Sequence, residues 1–132
     1  MVKHGLPRPT DAELGILRVL WDRGPSTVRQ VHEVIATGRS LAYTTTLKLL
    51  QIMTEKGLVT RNSLDRTHIF EARLERGAAQ RQLVGDLLDR AFGGSAAQLL
   101  MQALAARHAS DADLQEIRRL LEHHEEKSHG RD

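Results

Sequence analysis

The spacing of apolar residues changes at Gly57, and that change constrains the fold more than any other feature of the chain. Upstream, apolar side chains recur at helical intervals in three successive segments. Leu14, Leu17, Leu20 and Trp21 form the first stripe. Thr10 stands where an N-cap belongs, Glu13 three residues on completes a capping box, and Gly24-Pro25 stops the segment. Ser26 or Thr27 caps a second helix, with Val28, Val31, Val34 and Ile35 as its buried stripe, and Gly38-Arg39-Ser40 ends it. A third helix runs from about Ala42 to Lys56, with Thr46, Leu49, Leu50 and Met53 facing inward. Gly57 then sits where a helix ends in a left-handed residue.

Beyond Gly57, Leu58 to Ser63 and His68 to Arg73 alternate with the two-residue period of strands, and Leu64-Asp65-Arg66-Thr67 is the turn between them. Three helices followed by a β-hairpin make a winged helix-turn-helix over residues 1–74. Residues 75–132 return to helical spacing. Leu83, Leu87 and Leu88 mark a helix from Arg76 to Phe92, broken by Gly93-Gly94-Ser95. Leu99, Leu100 and Leu104 mark one from Ala96 to about Arg107. Ser110 caps a last helix, with Asp111 and Asp113 in its first turn and a stripe of Leu114, Ile117, Leu120 and Leu121. The polar tail from His123 to Asp132 is expected to fray. The fold class is thus mainly α with a small β-hairpin: an N-terminal winged helix-turn-helix and a C-terminal region of three helices.

Three short helices seldom bury enough surface to stand alone; a unit of this size supplies no more than ~3–5 kcal/mol from its own core. Two copies packing together would cover the leucine faces. The expected dimer interface is Leu83, Leu87, Phe92, Leu99, Leu100, Leu104, Leu114, Ile117 and Leu121. The competing arrangement folds these helices back onto the first domain of the same chain.

Composition narrows the function. Residues 1–74 hold 11 Lys/Arg against 7 Asp/Glu, whereas 75–132 hold 8 against 10, so the excess of positive charge lies on the winged half and suits a polyanion. The few aromatic residues, Trp21, Tyr43, Phe70 and Phe92, argue against single-strand binding, which stacks bases on several rings, but not against duplex binding. The chain has no cysteine, which excludes a disulfide scaffold, a thiolate zinc site and a Cys nucleophile. No phosphate-cradling glycine loop or nucleophile elbow occurs, and His32-Glu33 is not followed by a histidine at zinc-protease spacing. His123 and His124 are adjacent and cannot chelate as an i, i+4 pair. No enzyme, metal or cofactor is therefore expected. With neither an apolar leader after Met1 nor a stretch long enough to span a bilayer, the sequence reads as a cytoplasmic protein that does not insert into membranes.

The third helix carries the chemistry. At about 100° per residue, Thr44, Thr45, Lys48, Gln51 and Glu55 fall on one side, opposite the apolar stripe. Threonine hydroxyls can bond phosphates or base edges, their methyls can touch the thymine methyl, and Lys48 adds positive charge. Arg61, Arg66 and His68 lie on or near the hairpin turn, where a wing reaches the sugar-phosphate backbone. Two competing functions are a winged-helix module that contacts protein without sequence-specific DNA binding, and a small hydrolase, for which no nucleophile–base–acid grouping can be identified.

Four segments resemble the penicillinase-repressor (BlaI/MecI) family. Thr10-Asp11-Ala12-Glu13-Leu14-Gly15-Ile16-Leu17-Arg18-Val19-Leu20-Trp21 is similar to its first helix and Thr27-Val28-Arg29-Gln30-Val31 to its second. Leu41-Ala42-Tyr43-Thr44-Thr45-Thr46-Leu47 and Glu55-Lys56-Gly57-Leu58-Val59 are similar to its reading helix and exit. The resemblance runs from about Thr10 to Glu122. It implies a bacterial homodimeric repressor of palindromic operators built on TACA and TGTA. It also implies, as a partner, a membrane-bound sensor zinc protease whose signal triggers repressor cleavage. Under it, Thr44, Thr45 and Lys48 align with positions that face DNA, and Arg66 with the wing. Taken together, the DNA-facing residues expected on the helix are Tyr43, Thr44, Thr45, Leu47, Lys48 and Gln51. This chain departs from the family in three places. Leu47 stands where some members carry Arg, Ile52 where a basic residue is common, and Gln102-Ala103 where staphylococcal members carry the cleaved Asn-Phe pair.

Overall fold

The computed structural model describes residues 7–64 and 66–129; residues 1–6, Asp65 of the turn and the last three residues of the tail lie outside the described residues. In chain order the elements are α1 (Asp11–Arg23), α2 (Val28–Ile35), α3 (Tyr43–Lys56), β1 (Val59–Leu64), β2 (Thr67–Ala72), α4 (Arg76–Ala91), α5 (Ala96–Ala106) and α6 (Asp111–His129).

Two reciprocal caps start the first two helices. Thr10 Oγ1 accepts from the Glu13 N–H at 3.2 Å, and Glu13 Oε1 accepts from the Thr10 N–H at 2.9 Å. Thr27 and Gln30 repeat the device on α2 at 3.1 and 2.9 Å, so Thr27 rather than Ser26 is the cap. Gly57 closes α3 with φ 82°, a left-handed conformation that costs glycine nothing, and the Leu58 N–H returns to the Met53 carbonyl at 2.9 Å.

β1 and β2 form a two-stranded antiparallel hairpin in register from Val59 opposite Ala72 to Leu64 opposite Thr67. Both strands reach one residue nearer the tip than the spacing predicts, because Leu64 and Thr67 pair instead of turning. A third backbone segment joins the hairpin: the Ser26 N–H donates to the Phe70 carbonyl at 2.9 Å and the Phe70 N–H to the Ser26 carbonyl at 2.7 Å. The wing is thereby fastened to the junction between α1 and α2.

The core collects Ile16, Leu17, Val31, Leu50, Met53, Leu58, Val59 and Phe70, all buried. Val34, expected on the buried stripe of α2, is exposed. It lies about 60° round the helix from Val31, beyond the contact with the neighbouring elements.

The chain divides into two compact units, Met1–Gly85 and Asp86–Asp132. The first extends past Leu74 because the start of α4 packs into its core. Ala79 is buried, Trp21 Nε1 donates to the Leu74 carbonyl at 2.9 Å, and Arg76 both pairs with Asp22 at 2.6 Å and lies over the Trp21 ring. In the second unit, α5 is capped by Ser95, whose Oγ accepts from the Gln98 N–H at 3.1 Å, and α6 by Ser110, which accepts from the Asp113 N–H at 3.0 Å. α5 and α6 contain no buried residue among those described. The tail expected to fray from His123 is helical through His129, since its Glu, Lys and His residues carry no helix-breaking penalty and no Gly or Pro intervenes.

Candidate nucleic-acid interface

The seat of α3 is set by Thr46, Leu50 and Met53, which are wholly buried on one side. That seating leaves Thr44, Thr45, Lys48, Gln51 and Glu55 exposed together on the other, with Tyr43 exposed at the margin, about 20° round the helix from Leu50. Four of the six helix residues expected to face DNA therefore share one open surface, and a fifth, Tyr43, borders it. The sixth, Leu47, is half-buried and packs against the core, so its side chain is partly withdrawn from that surface.

The start of α3 differs chemically from those of α1, α2 and α5. Its N-cap is Ala42, which has no side chain able to accept a hydrogen bond from the first turn. The N–H of the third helical residue, which the side chains of Thr10, Thr27 and Ser95 accept elsewhere, is here that of Thr45 and donates to the Ala42 carbonyl at 3.0 Å. The two leading N–H groups, of Tyr43 and Thr44, lie beyond the reach of the helix's own carbonyls, next to the Thr44 and Thr45 hydroxyls. Lys48, one turn further on, forms no ion pair among the described residues.

The hairpin contributes a second basic surface. Arg61 pairs across the strands with Phe70, and Ser63 with His68, so Arg61 and His68 lie on the face that carries Phe70 into the core. Both are exposed, and Ser63 Oγ lies 3.1 Å from His68 Nδ1. Arg66 is exposed at the tip, with φ 69° in the left-handed region that non-glycine residues seldom adopt.

Two contacts in this unit have no signature in the sequence. Lys56 Nζ donates to Glu13 Oε1 at 2.6 Å, linking the last turn of α3 to the capping box of α1. Burial pushes the Glu13 carboxyl pKa up, but the Lys56 ammonium and the Thr10 N–H outweigh it and hold the group below its ordinary value. His32 Nδ1 lies 2.8 Å from Thr46 Oγ1, and the His32 and Tyr43 rings meet edge-on.

The residues expected at a dimer interface divide by exposure. Leu83, Leu87, Leu104 and Leu121 are exposed, Leu121 to 52%, whereas Phe92, Leu99, Leu100, Leu114 and Ile117 are half-buried. Among the described residues no group of His, Asp or Glu side chains could hold a metal ion, and no helix is long and apolar enough to cross a membrane.

Known proteins bear on this architecture. The penicillinase repressor family profile matches residues 9–123. A transcriptional regulator, BlaI, from two strains of Mycobacterium tuberculosis is 34% identical over 117 residues, covering 88% of this chain and 84% of the regulator. Among solved structures, the DNA binding domain of the repressor BlaI superposes with a TM-score of 0.50 at 19% identity, covering 59% of this chain and 93% of that domain. A MarR family protein from Bacillus stearothermophilus gives 0.50 at 20% identity, covering 91% of this chain and 75% of its own. Such identities speak for the winged-helix fold alone. The match over residues 9–123, with the mycobacterial identity behind it, shows that the chain belongs to the penicillinase repressor family of transcriptional regulators.

Proposed function

We propose that this chain is a homodimeric bacterial repressor that binds palindromic operator DNA, with α3 in the major groove and the β1–β2 wing on the backbone. The observation that carries this is the first turn of α3. The leading N–H groups of the helix, two exposed threonine hydroxyls and the Lys48 side chain lie close together there, which suits one phosphate and the adjoining base edges. Tyr43 and Gln51 extend the same surface, and Arg66, Arg61 and His68 supply sequence-independent backbone contacts. Leu47 acts at the margin, through its exposed part.

Residues from Arg76 onward supply the second copy's docking surface, through the nine leucine, isoleucine and phenylalanine positions named above. Support comes from the apolar side chains that a single chain leaves open, Leu83, Leu87, Leu104 and Leu121. A two-fold dimer then matches inverted half-sites built on TACA and TGTA in the cytoplasm, where the operator is found. A membrane-bound sensor metalloprotease is the signalling partner by family analogy. Gln102 and Ala103 lie in mid-α5, so such a protease would need α5 to unwind locally before cleaving between them.

Selecting bound duplexes from a random pool tests this function. Enrichment of an inverted repeat supports it. A pool that binds without enrichment, or does not bind, overturns it.

A further inference from the structure

His32 lies on α2, outside the surface described above, yet it touches both ends of the first turn of α3. Its Nδ1 is 2.8 Å from Thr46 Oγ1, and its ring meets that of Tyr43 with centroids 5.5 Å apart and planes at 75°. Tyr43 and Thr46 bracket Thr44 and Thr45, the two residues whose hydroxyls lie at the centre of the open surface. Thr46 is wholly buried, and His32 is the one hydrogen-bond partner of its hydroxyl among the described residues. Tyr43 has the opposite character: 46% exposed, it stands at the edge of the open face with one side of its ring against His32.

We propose that His32 is a positioning residue for duplex recognition, fixing the roll of α3 on α2 and the orientation of the Tyr43 ring. This rests on the DNA-binding function proposed above. Apolar contacts such as those of Leu50 and Met53 hold a helix in place without strongly directing its rotation. A hydrogen bond to a buried hydroxyl does direct it, because any roll that breaks the bond leaves the hydroxyl unsatisfied. The edge-on ring contact adds a second orientation-dependent restraint three residues away. Side chains that read base edges must be held to within about 0.5 Å, so a small roll of α3 displaces Thr44 and Thr45 together. Placing the restraint on α2 leaves the groove-facing side of α3 unobstructed.

The test uses the full chain and two duplexes of equal length, one bearing the TACA/TGTA inverted repeat and one scrambled. His32→Ala is expected to weaken binding to the inverted repeat by about five- to tenfold, leaving scrambled-duplex affinity and the salt slope unchanged. Tyr43→Ala should overlap with it, the double variant binding no more than about twofold worse than the weaker single variant. In the absence of DNA, His32→Ala should shift the NMR ring resonances of Tyr43, the only tyrosine in the chain. If His32→Ala does not fold, His32→Gln replaces it; the amide can still reach Thr46, but the loss of the ring should move the Tyr43 resonances and lower inverted-repeat affinity.

Equal losses on both duplexes, fully additive losses with Tyr43→Ala, or unmoved Tyr43 resonances would overturn the role of His32. Wild-type protein that binds neither duplex would sink the DNA-binding function itself and this role with it. That failure is distinguishable because it precedes any substitution.

Discussion

Lys56 Nζ lies 2.6 Å from Glu13 Oε1, so the last turn of the candidate reading helix is bonded to the carboxylate that completes the cap of α1. Glu13 is 2% exposed, whereas Lys56 keeps a third of its side chain in water. Removing the cation strands a buried charge; removing the carboxylate loses a cap as well. Lys56→Met is therefore expected to destabilise the first unit by about 1–3 kcal/mol, and Glu13→Ala by at least as much. Urea melts followed by Trp21 fluorescence measure both. Unchanged midpoints for both variants would mean that the pair contributes nothing.

The same pair makes stability depend on pH. The Glu13 carboxyl, held below its ordinary 4.5, binds a proton less readily in the folded chain than in the unfolded one. Its contribution is complete above the unfolded value and is lost as pH falls through the folded one. The stability gap between wild type and Glu13→Gln should be widest near neutrality and close in acid. Paired thermal melts at about pH 7, 5 and 3 follow it. A gap that widens on acidification would reverse the sign.

Arg66 separates binding from stability. At φ 69° an arginine is strained where glycine is not. Arg66→Gly is expected to leave the fold as stable or to raise stability by up to about 1 kcal/mol. Loss of one phosphate contact should meanwhile lower duplex affinity and reduce the salt slope by about one. Melting curves and salt-dependent titrations check the two halves separately.

The exposed leucines of the second half lead to a prediction about mass. Leu121→Asp places a charge on a side chain already 52% exposed in one chain, so it should cost the isolated chain little while preventing association. Light scattering should give a dimer for wild type and a monomer for Leu121→Asp. A dimer for both Leu121→Asp and Leu100→Asp would place the interface elsewhere.

Local features of this fold were legible because they depend on residues close in sequence. Thr10 and Glu13 announce the start of α1, Gly57 the end of α3, and the 3.6-residue spacing separates Thr46, Leu50 and Met53 from Thr44, Lys48 and Gln51. What periodicity could not reveal depends on distant residues meeting. Lys56 and Glu13 are 43 positions apart and His32 and Thr46 are 14, with no spacing rule linking either pair. Val34 and Leu47 lie at the margins of their helices' apolar stripes, where the shape of the neighbour, and not the stripe, decides burial. The helical spacing of α4 likewise gave no sign that its first turns would join the winged-helix core through Ala79. Past His123 the polar sequence suggested fraying, but its helix-forming residues extend α6 to His129.

Duplex binding by the open face of α3 and the wing is decided by salt-dependent titration of Lys48→Glu/Arg66→Glu. Wild type should bind an inverted-repeat duplex with a steep salt dependence, and the double variant should lose that binding while keeping the wild-type melting temperature. A folded double variant with wild-type affinity and salt slope would show that these two surfaces do not bind DNA.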